Sequence, residues 1–250
     1  MMNNPDTCVV TTSWDDGHPS DLKLAEMLSE YGLDGTFYIA PRNRERVVMA
    51  PPAIRDLGQS FEVGAHSMTH PDLRRLKKVA LEHEVNASKA EMEDAIGEPV
   101  RMFCYPRGLY NRRVRAAVVN AGFRGARTTR EFSSDPGRDA WQMATTIMGC
   151  PLPTYIRLRH EVKTRNWRGL RVLARCGIQK SWDELAIALF ERTLETGGVW
   201  HLWGHSWQLD EQDLWEKIER VFRAVSRRDG VTYLTNSKVL EKFGVTPVVP

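Results

Sequence analysis

The sequence predicts an α/β protein whose parallel strands roll into a distorted (β/α)7-type, TIM-like barrel. Strand-like and helix-like stretches alternate along most of its 250 residues, the pattern of βα units around a parallel sheet. Residues that carry chemistry follow strand after strand: Asp15 and Asp16 after the first, His66 and His70 after the third, Tyr105 to Gly108 after the fourth, His205 after a late one. A closed sheet aims its strand ends at one mouth, so such convergence favours a barrel over a doubly wound sheet.

The elements are read in chain order. Residues 8–10 form a strand, and residues 20–31 carry Leu22, Leu24, Ala25 and Leu28 at helical spacing. Residues 35–40 and 61–65 are strand-like, with a short helix at 53–57 between them. A long helix over 77–96 stops at Gly97, with Pro99 beyond. Next come a strand at 101–104, a helix over 112–121 capped by Asn111, and a strand at 123–126. Residues 133–137 form a loop and 141–148 a further strand. Residues 154–176 make one basic helical insertion. Ser181 and Glu184 form a capping box that opens a helix to residue 195. The chain closes with a buried strand at 198–203, a helix over 211–227, a strand at 231–234 and a terminal helix capped by Thr235. With no repeat or linker, residues 1–250 read as one domain.

An apolar content of 42% and a charged content of 27% describe a soluble globular protein. The net charge of +3 gives no argument for a nucleic-acid partner. No run reaches the roughly 18 apolar residues of a membrane span. The first 16 residues lack the cationic and apolar regions of a signal peptide, so a cytoplasmic location is expected. Cys8, Cys104, Cys150 and Cys176 lie far apart and read as reduced thiols. Oligomeric state is left open.

The stretch Ser13-Trp14-Asp15-Asp16-Gly17 sets two carboxylates side by side. Adjacent anions repel unless a cation or hydrogen bonds compensate. His66-Ser67-Met68-Thr69-His70 offers that cation. One helical turn would place both imidazoles on the same face, and two imidazoles with one carboxylate leave a zinc position for water. Asp16 is the natural third ligand, and Gly17 allows a tight turn after the acids. Zn2+ is favoured, although Co2+, Ni2+ and Fe2+ accept the same donors. The free carboxylate of Asp15 can then take a proton from metal-bound water.

These residues resemble the polysaccharide deacetylase superfamily, the NodB-homology fold of carbohydrate esterase family 4. Its first motif, Thr/Ser-Phe/Trp-Asp-Asp-Gly, is matched by residues 13–17, and its second, His-Ser/Thr-x-x-His, by residues 66–70. The resemblance implies Asp15 as general base and Asp16, His66 and His70 as the metal triad. The third motif, Arg-Pro-Pro-Tyr-Gly in many members, appears as Cys104-Tyr105-Pro106-Arg107-Gly108. Cys104 therefore stands where an arginine usually orients the base, and Arg127, at the end of a strand, is the candidate to substitute for it. Arg107 can still supply a backbone N–H to an oxyanion, and Tyr105 is a substrate-binding candidate. The last motif corresponds to residues 199–206 and implies His205 as general acid, with His201 as the alternative. An imidazole with a pKa of about 6.5 suits that task. Trp203 is expected to offer a flat face to a sugar ring.

The resemblance implies removal of an N-acetyl or other acyl group from an amino sugar in a saccharide or glycoconjugate. A cyclic amide or imide hydrolase of the allantoinase-like branch is the second enzymatic reading, and a catalytically decayed carbohydrate-binding protein is the non-enzymatic one. The basic insertion holds Arg157, Arg159, Lys163, Arg165, Arg168, Arg171 and Arg175 against the single acid Glu161. It is either a solvated face or a surface that gathers a nucleotide-linked or lipid-linked sugar.

Overall fold

The computed structural model of the protein describes residues 8–163, 165–177 and 180–246. Strand β1 (Cys8–Asp16) is buried along its whole length, as befits a run of valine, threonine and tryptophan at the centre of a parallel sheet. Helix α1 (Asp21–Tyr31), strand β2 (Gly35–Ile39), helix α2 (Pro51–Gly58) and strand β3 (Glu62–Ala65) follow. Helix α3 (Lys78–Ile96) ends where Gly97 turns left-handed at φ 75°. After β4 (Met102–Cys104), the Asn111 side chain accepts the Val114 N–H and caps α4 (Arg112–Asn120), which leads to β5 (Gly125–Arg127).

A short strand β6 (Ile147–Met148) precedes α5 (Thr154–Lys163) and α6 (Trp167–Cys176). The Ser181 and Glu184 capping box opens α7 (Trp182–Thr196). Strand β7 (Gly198–Gly204), helices α8 (Ser206–Glu211) and α9 (Trp215–Val225), strand β8 (Val231–Tyr233) and helix α10 (Asn236–Lys242) complete the fold.

The strands lie in the order β5-β4-β3-β2-β1-β7-β6, and every pairing is parallel. β1 shares one edge between two partners: Cys8 to Val10 pair with β8, and Thr12 to Asp16 pair with β2. The outer strands meet through irregular chain. Arg127 bridges Met143, and the Thr146 N–H reaches the His201 carbonyl at 2.8 Å. The sheet is thus a distorted barrel, closed on one side by chain from 128 to 146. Helices pack outside, and α10 plugs the end where the strands begin. Leu240 presses against Gly125 there, and Asn236 bonds Tyr38 and Thr11 inside the barrel. The opposite mouth, at the strands' C-terminal ends, stays free. Among the described residues no helix is long and apolar enough to cross a membrane.

Four expectations change. β1 runs on through both acids, because residues 11–14 are threonine, threonine, serine and tryptophan, side chains that suit a strand. The strand expected at 141–148 is a 3-10 turn over Ala140–Gln142 followed by β6 alone, since Asp139 bonds the Trp141 N–H and turns the chain. The basic insertion is two helices, divided where Asn166 caps the second through the Gly169 N–H. The helix expected over 211–227 is α9 alone; Glu211 instead ends α8, and Asp213 turns left-handed between them.

Candidate active site

Asp15 and Asp16 are the last two residues of β1, and strand geometry would send their side chains to opposite faces. Asp16 breaks that alternation with φ 83°, a conformation that costs a residue with a side chain about 1–3 kcal/mol. Gly17 follows at φ 73°, where a Cβ would lie 2.7 Å from Ile39 Cγ2, so only glycine fits. Both carboxylates consequently reach His66, one in each of two overlapping clusters.

The histidines reach this point on a loop. The one helical turn expected from their spacing is absent: Ser67 and His70 are both left-handed, at φ 61° and 58°. The loop is tied from three sides. Glu84 of α3 accepts the Met68 N–H at 3.0 Å, the Thr69 N–H at 2.9 Å and the Thr69 hydroxyl at 2.7 Å. Ser67 Oγ accepts the His70 N–H, and the Met68 carbonyl accepts the Arg42 N–H.

Asp16 Oδ1 then lies 4.0 Å from His66 Nε2 and 3.7 Å from His70 Nε2. Their outer nitrogens are occupied: His66 Nδ1 donates to the Cys104 carbonyl at 2.8 Å, and His70 Nδ1 meets Glu45 Oε2 at 3.0 Å. A carbonyl only accepts, so the proton of neutral His66 sits on Nδ1 and the Nε2 lone pair faces Asp16. Burial pulls the His66 pKa down to about 4, which keeps the ring neutral. Asp16 is steadied by Trp207 Nε1, 2.8 Å from Oδ2, and by Asn43 Nδ2, 3.2 Å from Oδ1. Two imidazoles and a carboxylate with their donor atoms this close form a set that fits a divalent cation. The second cluster substitutes Asp15 and Cys104 around His66, but burial pushes the Cys104 thiol well up, so it offers a protonated sulfur.

Arg127 reaches from the end of β5 to Asp15, its Nη2 bonded to Asp15 Oδ1, and is wholly buried. Cys104 Sγ is 3.7 Å from the other Asp15 oxygen. Burial alone would raise the Asp15 pKa. The Arg127 charge, aided by His66 and His205, overrides it and holds the carboxyl at about 2. Trp203 and Tyr38 stack near the guanidinium, at 4.8 and 5.3 Å from their ring centres.

His205 follows β7 with Nε2 4.0 Å from Asp16 Oδ2, and its Nδ1 meets Gln208 Oε1 at 2.8 Å. His201 lies deeper, 1% exposed, with Nε2 2.8 Å from Ser13 Oγ and Nδ1 3.2 Å from the Ala144 carbonyl. Burial and the nearby Arg127 charge bring its pKa to about 3. Both of its nitrogens are committed to the protein.

A cavity of about 270 Å³ opens over these groups, lined by Asp15, His66, His70, Arg107, Trp203 and His205 on the barrel side. Met148 of β6, together with Leu152, Ile156 and Arg157 at and just before α5, also lines it. Trp203 Nε1 donates to buried Glu131, also in the lining, at 3.3 Å. Arg107 sits left-handed at φ 57° in a turn over Pro106–Gly108, with its side chain paired to Glu45. Tyr105 does not reach the cavity, against expectation. Its side chain enters the core, stacks on Tyr110 at 4.5 Å and bonds the Trp141 carbonyl.

Glu84, Glu45 and Asn43 escaped the reading of the sequence. Glu84 had a signal: it interrupts the stripe Leu81, Val85 and Ser88 on the inward face of α3, where an unpaired acid is costly.

The family model described as polysaccharide deacetylase matches residues 2–126. Among solved structures, a candidate polysaccharide deacetylase from Mycobacterium smegmatis superposes with a TM-score of 0.70 at 16% identity, covering 100% of this chain and 94% of that one. The Xyl-CE4 domain of a multidomain xylanase from the hindgut metagenome of Trinervitermes trinervoides gives 0.62 at 15% identity, over 97% and 94%. A family 4 carbohydrate esterase from Streptomyces lividans, solved with acetate, gives 0.58 at 17% identity, over 97% of both chains.

Proposed function

Because the chain belongs to the polysaccharide deacetylase family, we propose that it hydrolyses an N-acyl amide, an N-acetyl group on an amino sugar, using a divalent ion held by Asp16, His66 and His70. The observation that carries this reading is the meeting of those three side chains beside an ionised Asp15 at the open mouth of the barrel.

A divalent ion there would polarise the acyl carbonyl and lower the pKa of a water toward neutrality. Asp15 takes a proton from the attacking water, and Arg127 fixes the direction of that carboxylate. The Arg107 N–H, on a residue that lines the cavity, serves the oxyanion. His205, on the Asp16 side of the mouth, delivers a proton to the departing nitrogen. Trp203 supplies a face for the sugar ring. The products are a carboxylic acid and a free amine. Zinc is the ion proposed, and an N-acetylated saccharide or a nucleotide-linked or lipid-linked amino sugar is the substrate class.

An acetate-release screen over N-acetylated saccharides, with and without added Zn2+, tests the proposal. Zinc-stimulated release from at least one sugar is expected. Ring opening of small cyclic imides with no acetate release from any sugar would replace this reading with the other hydrolase.

A further inference from the structure

Among the described residues, seven large apolar side chains are notably exposed, and four of them, Tyr155, Ile156, Val162 and Trp167, sit on α5 and α6. Trp167 is 59% exposed and Tyr155 68%. The same segment exposes Arg159, Arg165, Arg168, Arg171 and Arg175, and none of these makes an ion pair among the described residues. Its one acid, Glu161, is turned inward onto Asn166. The Lys163 side chain lies outside the described residues.

Helical spacing arranges these groups. Tyr155, Arg159 and Val162 share one stripe of α5; Trp167, Arg171 and Arg175 share one of α6. Arg157, Glu161, Gly169 and Leu173 face the protein. The outward side therefore mixes cations with aromatic and branched apolar groups.

A merely solvated face has no use for an exposed tryptophan, and a nucleic-acid surface has none for Val162. An anionic bilayer interface takes both kinds: arginines meet headgroup phosphates, while tryptophan and tyrosine rings settle at headgroup depth. The segment also borders the cavity, because Leu152, Ile156 and Arg157 line it together with Asp15, His66 and His70.

We propose that α5 and α6 form a docking surface for anionic lipid headgroups, which seats the cavity mouth on a bilayer so that the acylated amino sugar arrives on a lipid carrier. The identity of that substrate rests on the deacetylase reading; the docking itself does not.

Sedimentation of the 250-residue protein with vesicles of phosphatidylcholine alone, or mixed with phosphatidylglycerol, tests it. Binding to the mixed vesicles only is expected. Trp167→Ser with Tyr155→Ser, and separately Arg159→Glu with Arg171→Glu, should each weaken binding about tenfold or more. Turnover of a soluble N-acetylated sugar should be unchanged in both. Wild-type protein that stays in the supernatant with mixed vesicles overturns the proposal, and this arm decides the matter even where a variant fails to fold. Arginine-dependent binding that ignores the Trp167 and Tyr155 changes and yields to competing RNA overturns it too, as a general polyanion site. Vesicle binding without turnover of any amino sugar removes the deacetylase reading and the lipid-carrier clause, and leaves the docking in place.

Discussion

The Arg127 guanidinium at the end of β5 grips the Asp15 carboxylate at the end of β1, with both side chains enclosed. Cys104 occupies the place in the third motif where an arginine would do this, and the cation arrives one strand further round the barrel. Arg127→Ala should lower kcat on the best acetylated sugar about a hundredfold or more, as expected when a general base loses its orientation. It should also cost about 3–5 kcal/mol in urea unfolding, because Asp15 is left as a buried unpaired charge. Arg127→Lys should recover part of the stability and less of the turnover, since an ammonium lacks the planar fork.

His205 and His201 make opposite predictions. His205→Ala should reduce kcat about a hundredfold with little change in melting temperature. His201→Asn should destabilise the fold by about 1–3 kcal/mol through the lost bonds to Ser13 and the Ala144 carbonyl, yet leave kcat of the folded fraction near wild type. Steady-state kinetics beside thermal melts of both variants provide the check.

Glu84 holds the loop that carries His70. Glu84→Ala should cost about 1–3 kcal/mol of stability by orphaning the Met68 and Thr69 N–H groups. Zinc affinity should fall about 10- to 100-fold, as when a group that orients a ligand is removed. Zinc titration at fixed pH measures the second effect.

Much of this site could be read because parallel strands deliver their C-terminal residues to one mouth, so motif order along the chain becomes proximity in space. The acids, the two histidines, Arg127 and His205 all follow that rule. The route taken by the histidines did not show in their spacing. An interval of four suggests a helical turn, but Pro71 directly after His70 disfavours one, and the deciding contact comes from Glu84 on a different element. Tyr105 misled for a related reason: its motif position says nothing about which side of the turn its ring takes, and Tyr110 draws it into the core. The break at Asn166 had a local sign, a capping residue ahead of Gly169, hidden within an evenly basic stretch.

The α5–α6 segment should respond to pH. Burial raises Glu161 to about 7, so the neutral acid is the form the fold favours. Its contribution is complete below the unfolded carboxylate pKa of about 4.3 and is lost as pH rises through about 7. Amide exchange in α5 and α6 should accelerate between pH 5 and pH 8 beyond its intrinsic dependence, and Glu161→Gln should flatten that excess. An excess that survives in Glu161→Gln would assign it to another group.

Titration of the metal-stripped protein with Zn2+, followed calorimetrically beside His66→Ala and Asp16→Ala, tests the central claim most directly. One ion per chain should bind the wild-type protein, with binding lost or weakened at least about a hundredfold in each variant that remains folded. Wild-type protein that takes up no zinc, or folded variants that bind it as tightly as wild type, would contradict the account.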